Sequence, residues 1–285
     1  MQLHFTKMQG AGNDYIYLDC RQSGLPPHPG ALAAQLSRRH VSVGADGLIC
    51  ILPPLLADAD ATMRMFNADG SEGAMCGNGA RCVAEYLYAH GVRKDRIELD
   101  TLRAGRKTLY RTAPGRWRAG MGRFSTKAED LPAVGLGPGP LLETPLTAAG
   151  RSWRVSCISL GNPHCVVLCQ GAPPAGAQLA RWGAALAQHP AFPQGVNVEF
   201  VRRDAPQALT MTVWERGSGA TLACGTGACA AVAALALRGA CPRSRPVAAA
   251  LPGGVLDVCV LPDDTVLLTG PAQTVFTGTV DLPEA

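Results

Sequence analysis

The sequence predicts an α+β fold of two pseudo-symmetric domains, each a curved sheet wrapped around a central helix. Three observations point there. Short runs of β-branched, aromatic and aliphatic residues, separated by Gly and Pro, recur along the chain and read as strands. The run from Ala228 to Leu237 is apolar at every position rather than along one stripe, so as a helix it must be buried all round. Finally, Cys76-Gly77-Asn78-Gly79-Ala80 recurs as Cys224-Gly225-Thr226-Gly227-Ala228, an offset of 148 residues (224 − 76). In a chain rich in strands, a wholly apolar helix is most simply buried inside a curved sheet.

Taken in order, the expected strands are Leu3 to Met8, Tyr15 to Cys20, Thr62 to Asn67, Thr108 to Thr112, Trp153 to Ile158, Val196 to Val201, Leu209 to Trp214, Leu256 to Leu261 and Thr265 to Thr269. Gly12-Asn13-Asp14-Tyr15-Ile16 resembles Gly161-Asn162-Pro163-His164-Cys165, each leading into a strand, at nearly the offset of the cysteine repeat. Each Cys-Gly-x-Gly copy runs into a helix that ends at a glycine 15 residues on, Gly91 (91 − 76) or Gly239 (239 − 224). Those glycines are natural C′ caps. The first helix is less apolar, because Arg81, Glu85 and His90 interrupt it, and should expose part of one side. Gly and Pro concentrate between Leu131 and Pro145, which reads as a surface loop near a domain boundary.

Composition excludes several classes of protein. With 285 residues, 47% hydrophobic, 17% charged and net charge +4, the chain is globular and long enough for about two domains at roughly 150 residues each. Lys and Arg are scattered in runs no longer than pairs, which argues against nucleic-acid binding. No charged and apolar leader opens the sequence, and no apolar run could span a bilayer, so a soluble, cytoplasmic protein is expected. Eleven cysteines, an odd number set mostly in apolar segments, read as reduced, buried thiols rather than a disulfide framework.

A cysteine at a helix start followed by Gly-x-Gly gains from its position. First-turn N–H groups and the positive end of the helix dipole favour thiolate. The glycines admit a ligand close to the backbone, and the free amides form a cradle for a carboxylate or phosphate. Two such copies give two thiols and two anion holes across a cleft between domains. Inverting a carbon stereocentre requires a base on one face and an acid on the other, and a thiolate–thiol pair does this in either direction. Converging helix N-termini would stabilise the enediolate that forms when an α-proton leaves. The pattern therefore supports racemisation or epimerisation with no cofactor. A metal site is disfavoured, since Cys76 to Cys82 and Cys224 to Cys229 are spaced too widely for zinc pairs. No P-loop or dinucleotide fingerprint is completed, and none of Lys7, Lys94, Lys107 and Lys127 has a recognisable pyridoxal phosphate setting.

These residues resemble the diaminopimelate epimerase family in seven ordered motifs spread over essentially the whole chain. They are Lys7-Met8-Gln9-Gly10-Ala11-Gly12-Asn13-Asp14-Tyr15; Phe66-Asn67-Ala68-Asp69-Gly70-Ser71-Glu72 leading to Cys76-Gly77-Asn78-Gly79-Ala80-Arg81-Cys82; Gly161-Asn162-Pro163-His164-Cys165; Val196-Asn197-Val198-Glu199-Phe200; Glu215-Arg216-Gly217 with Ala223 to Cys229; Leu251-Pro252-Gly253-Gly254; and Thr269-Gly270-Pro271-Ala272.

The resemblance implies that each sheet is barrel-like and mostly antiparallel or mixed. It implies an N-terminal domain of residues 1–118 plus 271–285, a C-terminal domain of 119–270 and an active site in the cleft between them. It also implies cofactor-independent interconversion of LL- and meso-2,6-diaminopimelate, a step toward lysine and peptidoglycan precursors. By motif, Cys76 and Cys224 are the base and acid, and the Gly77, Asn78, Gly225 and Thr226 amides hold the reacting carboxylate. Asn13, Asn67, Asn162, Asn197, Glu215 and Arg216 hold the other polar groups, His164 supports the catalytic end, and a homodimer is expected. A substrate with a carboxylate and an ammonium at each end does require an Arg fork, amides and an acidic group. Gly47 stands where some members carry Gln, and Ala220 where others carry Glu.

Two other readings stay open. Proline and hydroxyproline racemases share the paired-cysteine logic, although Asn78 and the Glu215-Arg216 pair argue against that substrate class. A thiol redox protein would instead cycle Cys76 and Cys224 as a disulfide.

Overall fold

In the computed structural model, which describes residues 2–281, the chain divides into two compact units, Met1–Ala119 with Thr269–Ala285, and Gly120–Leu268. Met1 and the tail 282–285 of the expected first domain lie outside the described residues.

In the first unit, strands Gln2–Gly10 and Asn13–Asp19 form an antiparallel hairpin, and helix α1 (Pro29–Leu36) crosses over to Gly47–Leu52, parallel to the second strand. Ala61–Asn67 returns antiparallel and pairs with the two-residue strand Glu72–Gly73. Helix α2 (Gly77–Ala89) then crosses over to Arg96–Thr101, parallel to Ala61–Asn67, and Lys107–Ala113 closes the series. Gln273–Asp281 returns to the unit as an antiparallel neighbour of the first strand.

The second unit repeats the series. Arg151–Ser159 and Pro163–Leu168 are antiparallel, and helix α3 (Gly176–Ala187) leads to the parallel strand Asn197–Ala205. Ala208–Glu215 returns and pairs with Gly219–Thr221, and helix α4 (Gly225–Leu237) leads to Val247–Leu251, parallel to Ala208–Glu215 and followed by Gly254–Val260. The duplication visible in sequence is thus a duplication of pairing. The fold is α+β with two pseudo-symmetric halves.

Helix α4 is buried from Gly227 to Ala236 and packs against all five long strands just named other than Ala208–Glu215. Arg238 caps it and Gly239 follows at φ 68°, while Gly91 follows α2 at φ 104°, so both glycines take the left-handed conformation that a side chain disfavours. Two expectations hold with an addition each. Helix α2 leaves part of one side open at Glu85, Tyr88 and Ala89, but Arg81 is fully buried: its guanidinium donates to Asn78 Oδ1 at 2.6 Å, the Gly77 carbonyl at 3.3 Å and the Pro271 carbonyl at 3.4 Å. The Gly/Pro-rich segment is irregular but anchored, since Leu131 and Leu141 are buried in the core of the second unit with Trp153 and Phe200.

Candidate active site

Each unit builds one half-site around an N-cap cysteine, and the two are described in turn. Cys76 caps α2 from extended backbone, its sulfur accepting the Gly79 amide at 3.4 Å. A Cβ at residue 79 would lie 2.6 Å from Ile49 Cδ1, so a side chain there would displace the end of Ile49. The Cys76 thiol donates to Asn13 Oδ1 at 3.2 Å, and Asn78 Nδ2 approaches the same oxygen at 3.4 Å. Asp46 sets the direction of that amide by accepting from Asn13 Nδ2 at 2.7 Å and from the Asp14 N–H at 3.0 Å. Asn67 sits opposite Gly47, which sits opposite Tyr15, in one row across three strands. The Asn67 side chain donates to Ser71 Oγ at 2.9 Å.

Cys224 caps α4 in the same way, accepting the Gly227 amide at 3.3 Å. A Cβ at 227 would lie 2.7 Å from Glu199 Oε1, so a side chain there would push that carboxylate away from His164. A chain of contacts runs from Glu199 to the cysteine. Glu199 Oε1 lies 2.7 Å from His164 Nδ1, His164 Nε2 lies 3.1 Å from Asn162 Oδ1, Asn162 Nδ2 donates to Thr226 Oγ1 at 3.3 Å, and that hydroxyl is 3.5 Å from Cys224 Sγ. His164 and Glu199 are fully buried. Asn197 is used up by backbone: its Oδ1 accepts the Arg216 N–H at 2.9 Å and its Nδ2 donates to the Pro163 carbonyl at 3.0 Å, which fixes the Glu215-Arg216 corner. Glu215 accepts from the Thr221 hydroxyl, and Arg216 leans on Gly195 while donating to the Gln194 carbonyl at 3.2 Å.

The sulfurs are not equivalent. Burial pushes the Cys76 thiol up, and the Gly79 amide, the Tyr15 hydroxyl, the Asn78 amide and the Arg81 charge pull it back. Burial pushes the Cys224 thiol well above the ordinary range, the Glu215 and Glu199 carboxylates push it further, and the Thr226 hydroxyl and Gly227 amide oppose them. Helix position alone would favour thiolate at both; desolvation outweighs it. Burial likewise raises the Glu215 carboxyl. No disulfide joins cysteines among the described residues.

The structure thus gathers Asn13, Cys76, Gly77 and Asn78 in the first unit. In the second it gathers Asn162, His164, Asn197, Glu215, Arg216, Cys224, Gly225 and Thr226, while Asn67 lies along the strand row from Tyr15. In both helices the N–H groups of the first turn have no acceptor within the helix, which leaves amides at Gly77, Asn78, Gly225 and Thr226 for an anion. Sequence reasoning missed Tyr15, Asp46, Arg81, Glu199 and Thr221. Aligning the two halves would have flagged Tyr15 and Glu199, which occupy the repeat positions of His164 and Ile49. Arg81 is signalled only as a charge within an otherwise apolar helix, and nothing in the sequence points to Asp46. Gly47 has no room for a side chain, since a Cβ would meet the Phe66 carbonyl oxygen at 2.3 Å, and Ala220 lies exposed on its short strand. Among the described residues no group of three His, Cys, Asp or Glu side chains could hold a metal ion, and no helix is long and apolar enough to cross a membrane.

The sequence profile described as diaminopimelate epimerase matches residues 5–126 and 156–275. A diaminopimelate epimerase of Pelotomaculum thermopropionicum is 43% identical over 282 residues, covering 97% of this chain and 98% of its own. One from Nostoc punctiforme is 43% identical over 284 residues, covering 98% and 99%. Among solved structures, a probable proline racemase from Agrobacterium radiobacter superposes with a TM-score of 0.68 at 19% identity, covering 99% of this chain and 93% of that one. A phenazine biosynthesis protein of the PhzF family from Bacillus anthracis gives 0.70 at 14% identity, covering 99% and 100%. At such identities these two likenesses speak for the fold alone.

Proposed function

The chain belongs to the diaminopimelate epimerase family, and on that premise we propose that it interconverts LL- and meso-diaminopimelate, a step toward lysine, using Cys76 and Cys224 as its two proton carriers and no cofactor. The observation that carries this reading is the duplicated N-cap cysteine: each sulfur sits at the start of a helix and accepts the amide of its third residue, Gly79 or Gly227, while the amides before it have no acceptor within the helix. In one direction a thiolate takes the α-proton from one face of the substrate. The electron pair left behind is delocalised into the carboxylate as an enediolate, which the amides of Gly77, Asn78, Gly225 and Thr226 stabilise. The opposite thiol then gives its proton to the other face and is left as thiolate, so the reverse reaction starts from the exchanged state.

The remaining polar groups suit the ends of the substrate. Asn13, Asn67 and Asn162 offer amides to its ammonium and carboxylate groups, the Arg216 fork suits the distal carboxylate, and Glu215 suits an ammonium. Asn197 acts through the backbone it holds. His164 supports the Cys224 side through Asn162. The protein is cytoplasmic in this reading and forms a homodimer, for which exposed Val275 and Phe276 on the strand Gln273–Asp281 offer an apolar strip; sedimentation would read the dimer directly.

The test is proton NMR of the reduced enzyme with LL-diaminopimelate in D2O, with proline in parallel. α-Deuterium and meso product from diaminopimelate alone are expected, and Cys76→Ser and Cys224→Ser should each abolish formation of the meso product with the fold intact. Exchange with proline alone would move the protein to the racemases, and robust turnover by either serine variant would overturn the two-cysteine assignment.

A further inference from the structure

We propose that Tyr15 is a further catalytic residue, its phenolic O–H donating to the Cys76 sulfur and holding that thiolate ready to take the α-proton. This rests on the assignment of Cys76 as a proton carrier and adds to it.

The two halves of the chain place a ring residue at the same point of the repeated pairing. Tyr15 is the register partner of Gly47, two residues after Asn13, and His164 is the register partner of Asn197, two residues after Asn162. His164 reaches Cys224 through Asn162 and Thr226, whereas Tyr15 shares a strand face with Tyr17, whose hydroxyl donates to the Gly79 carbonyl in the first turn of α2 at 3.4 Å, and its own hydroxyl is among the groups that pull the Cys76 thiol down. Tyr15 is 5% exposed, so its hydroxyl is committed to this site rather than to bulk water.

Gly47 explains why a phenol fits in one half and an imidazole in the other. A Cβ at 47 would stand 2.9 Å from Tyr15 Cε1, so the larger ring is admitted where its partner has no side chain. Opposite His164 stands Asn197, which has one. The phenol also stays protonated, because burial and then the neighbouring Cys76 push it well above its ordinary range. It is therefore a standing donor beside a sulfur that must become an anion. The other close side-chain partner of that sulfur, Asn13 Oδ1, is an acceptor held in place by Asp46, and it favours the thiol. Cys76 is thus poised between an acceptor that holds its proton and a donor that stabilises its loss.

The experiment is Tyr15→Phe, which keeps the ring and removes only the donor. In the Cys224→Ser background, the rate of Cys76 alkylation by iodoacetamide is followed against pH with the site located by mass spectrometry, and kcat/KM is measured in the otherwise unaltered enzyme. A hydrogen bond to a charged group lost at this sulfur should move the alkylation profile up by about one pH unit and lower kcat/KM roughly tenfold. The melting temperature should be unaltered. A profile that stays in place or moves down would overturn the proposal, as would lost activity with no change in the profile. Cys76→Ser separates this from the parent reading: turnover by that variant removes Cys76 as a proton carrier whatever Tyr15 does, while a dead Cys76→Ser beside an unaffected Tyr15→Phe removes Tyr15 alone.

Discussion

The His164–Glu199 pair gives the sharpest test of how the second half-site is built. Both side chains are fully buried, Nδ1 and Oε1 are 2.7 Å apart, and Glu199 Oε2 has no hydrogen-bond partner among the described residues. Removing one member of a buried pair leaves the other desolvated and costs about 3–5 kcal/mol, a large part of the roughly 5–15 kcal/mol that holds a domain folded. Replacing both by apolar residues of similar volume is neutral or stabilising by about 1–4 kcal/mol. The first half shows that an aliphatic chain fits the carboxylate's place, since Ile49 lies beneath Gly79 as Glu199 lies beneath Gly227. We therefore expect Glu199→Ile and His164→Leu each to lose about 3 kcal/mol or more in guanidinium unfolding, and the double variant to regain most of it. The coupling should then approach the sum of the single losses. Turnover should not return with stability, because the double variant leaves Asn162 Oδ1 without the ring nitrogen that lies 3.1 Å from it. Single losses below about 1 kcal/mol, or a double variant as unstable as the two losses added, would refute the picture of a mutually dependent buried pair.

Two further expectations follow from the same geometry. Alkylation of the wild-type protein should modify Cys76 at lower pH than Cys224, because burial raises both thiols but Cys224 also faces Glu215 and Glu199, and kcat/KM should rise with pH through the lower of the two; mass spectrometry of pH-stepped samples reads the order directly. Arg81→Leu should cost about 2 kcal/mol or more in chemical unfolding, by removing charge-assisted bonds to Asn78 Oδ1 and to the Gly77 and Pro271 carbonyls, and should raise KM as Asn78 loosens.

What was legible in the sequence is what depends on local pattern. A wholly apolar helix has only one place to go, and Ala228 to Leu237 is in the core. Strand periodicity located Tyr15 to Cys20 and Leu209 to Trp214, and glycine punctuation located both helix ends. Other elements were missed for physical reasons. Gly47–Leu52 is buried almost throughout and so lacks the alternation that marks a half-exposed strand. Helices α1 and α3 carry no duplicated motif and only short amphipathic patterns. The Leu131 to Pro145 segment looked solvated because Gly and Pro dominate it, yet two leucines pin it to the core.

The site divides along the same line. Cysteines at helix starts can be read from spacing, because the helix fixes where their sulfurs and the neighbouring amides point. Their acidity cannot, since it is set by residues that are far away in sequence and meet only through strand register. Position 199 is the clearest case. It lies two residues beyond Asn197 as Ile49 lies beyond Gly47, and the fold gives both the same place beneath a helix-start glycine. One is an aliphatic side chain and the other a carboxylate that raises the thiol above it. With Tyr15 set against His164 and Asn67 against Glu215, the Cys76 side keeps a phenol, an amide and the Arg81 charge, while the Cys224 side holds two carboxylates and an imidazole. A symmetric reaction needs one thiolate and one thiol at a time. Two identical half-sites would carry that single charge equally often, so it is the divergence between the repeats, and not the repeat itself, that decides which sulfur starts as thiolate.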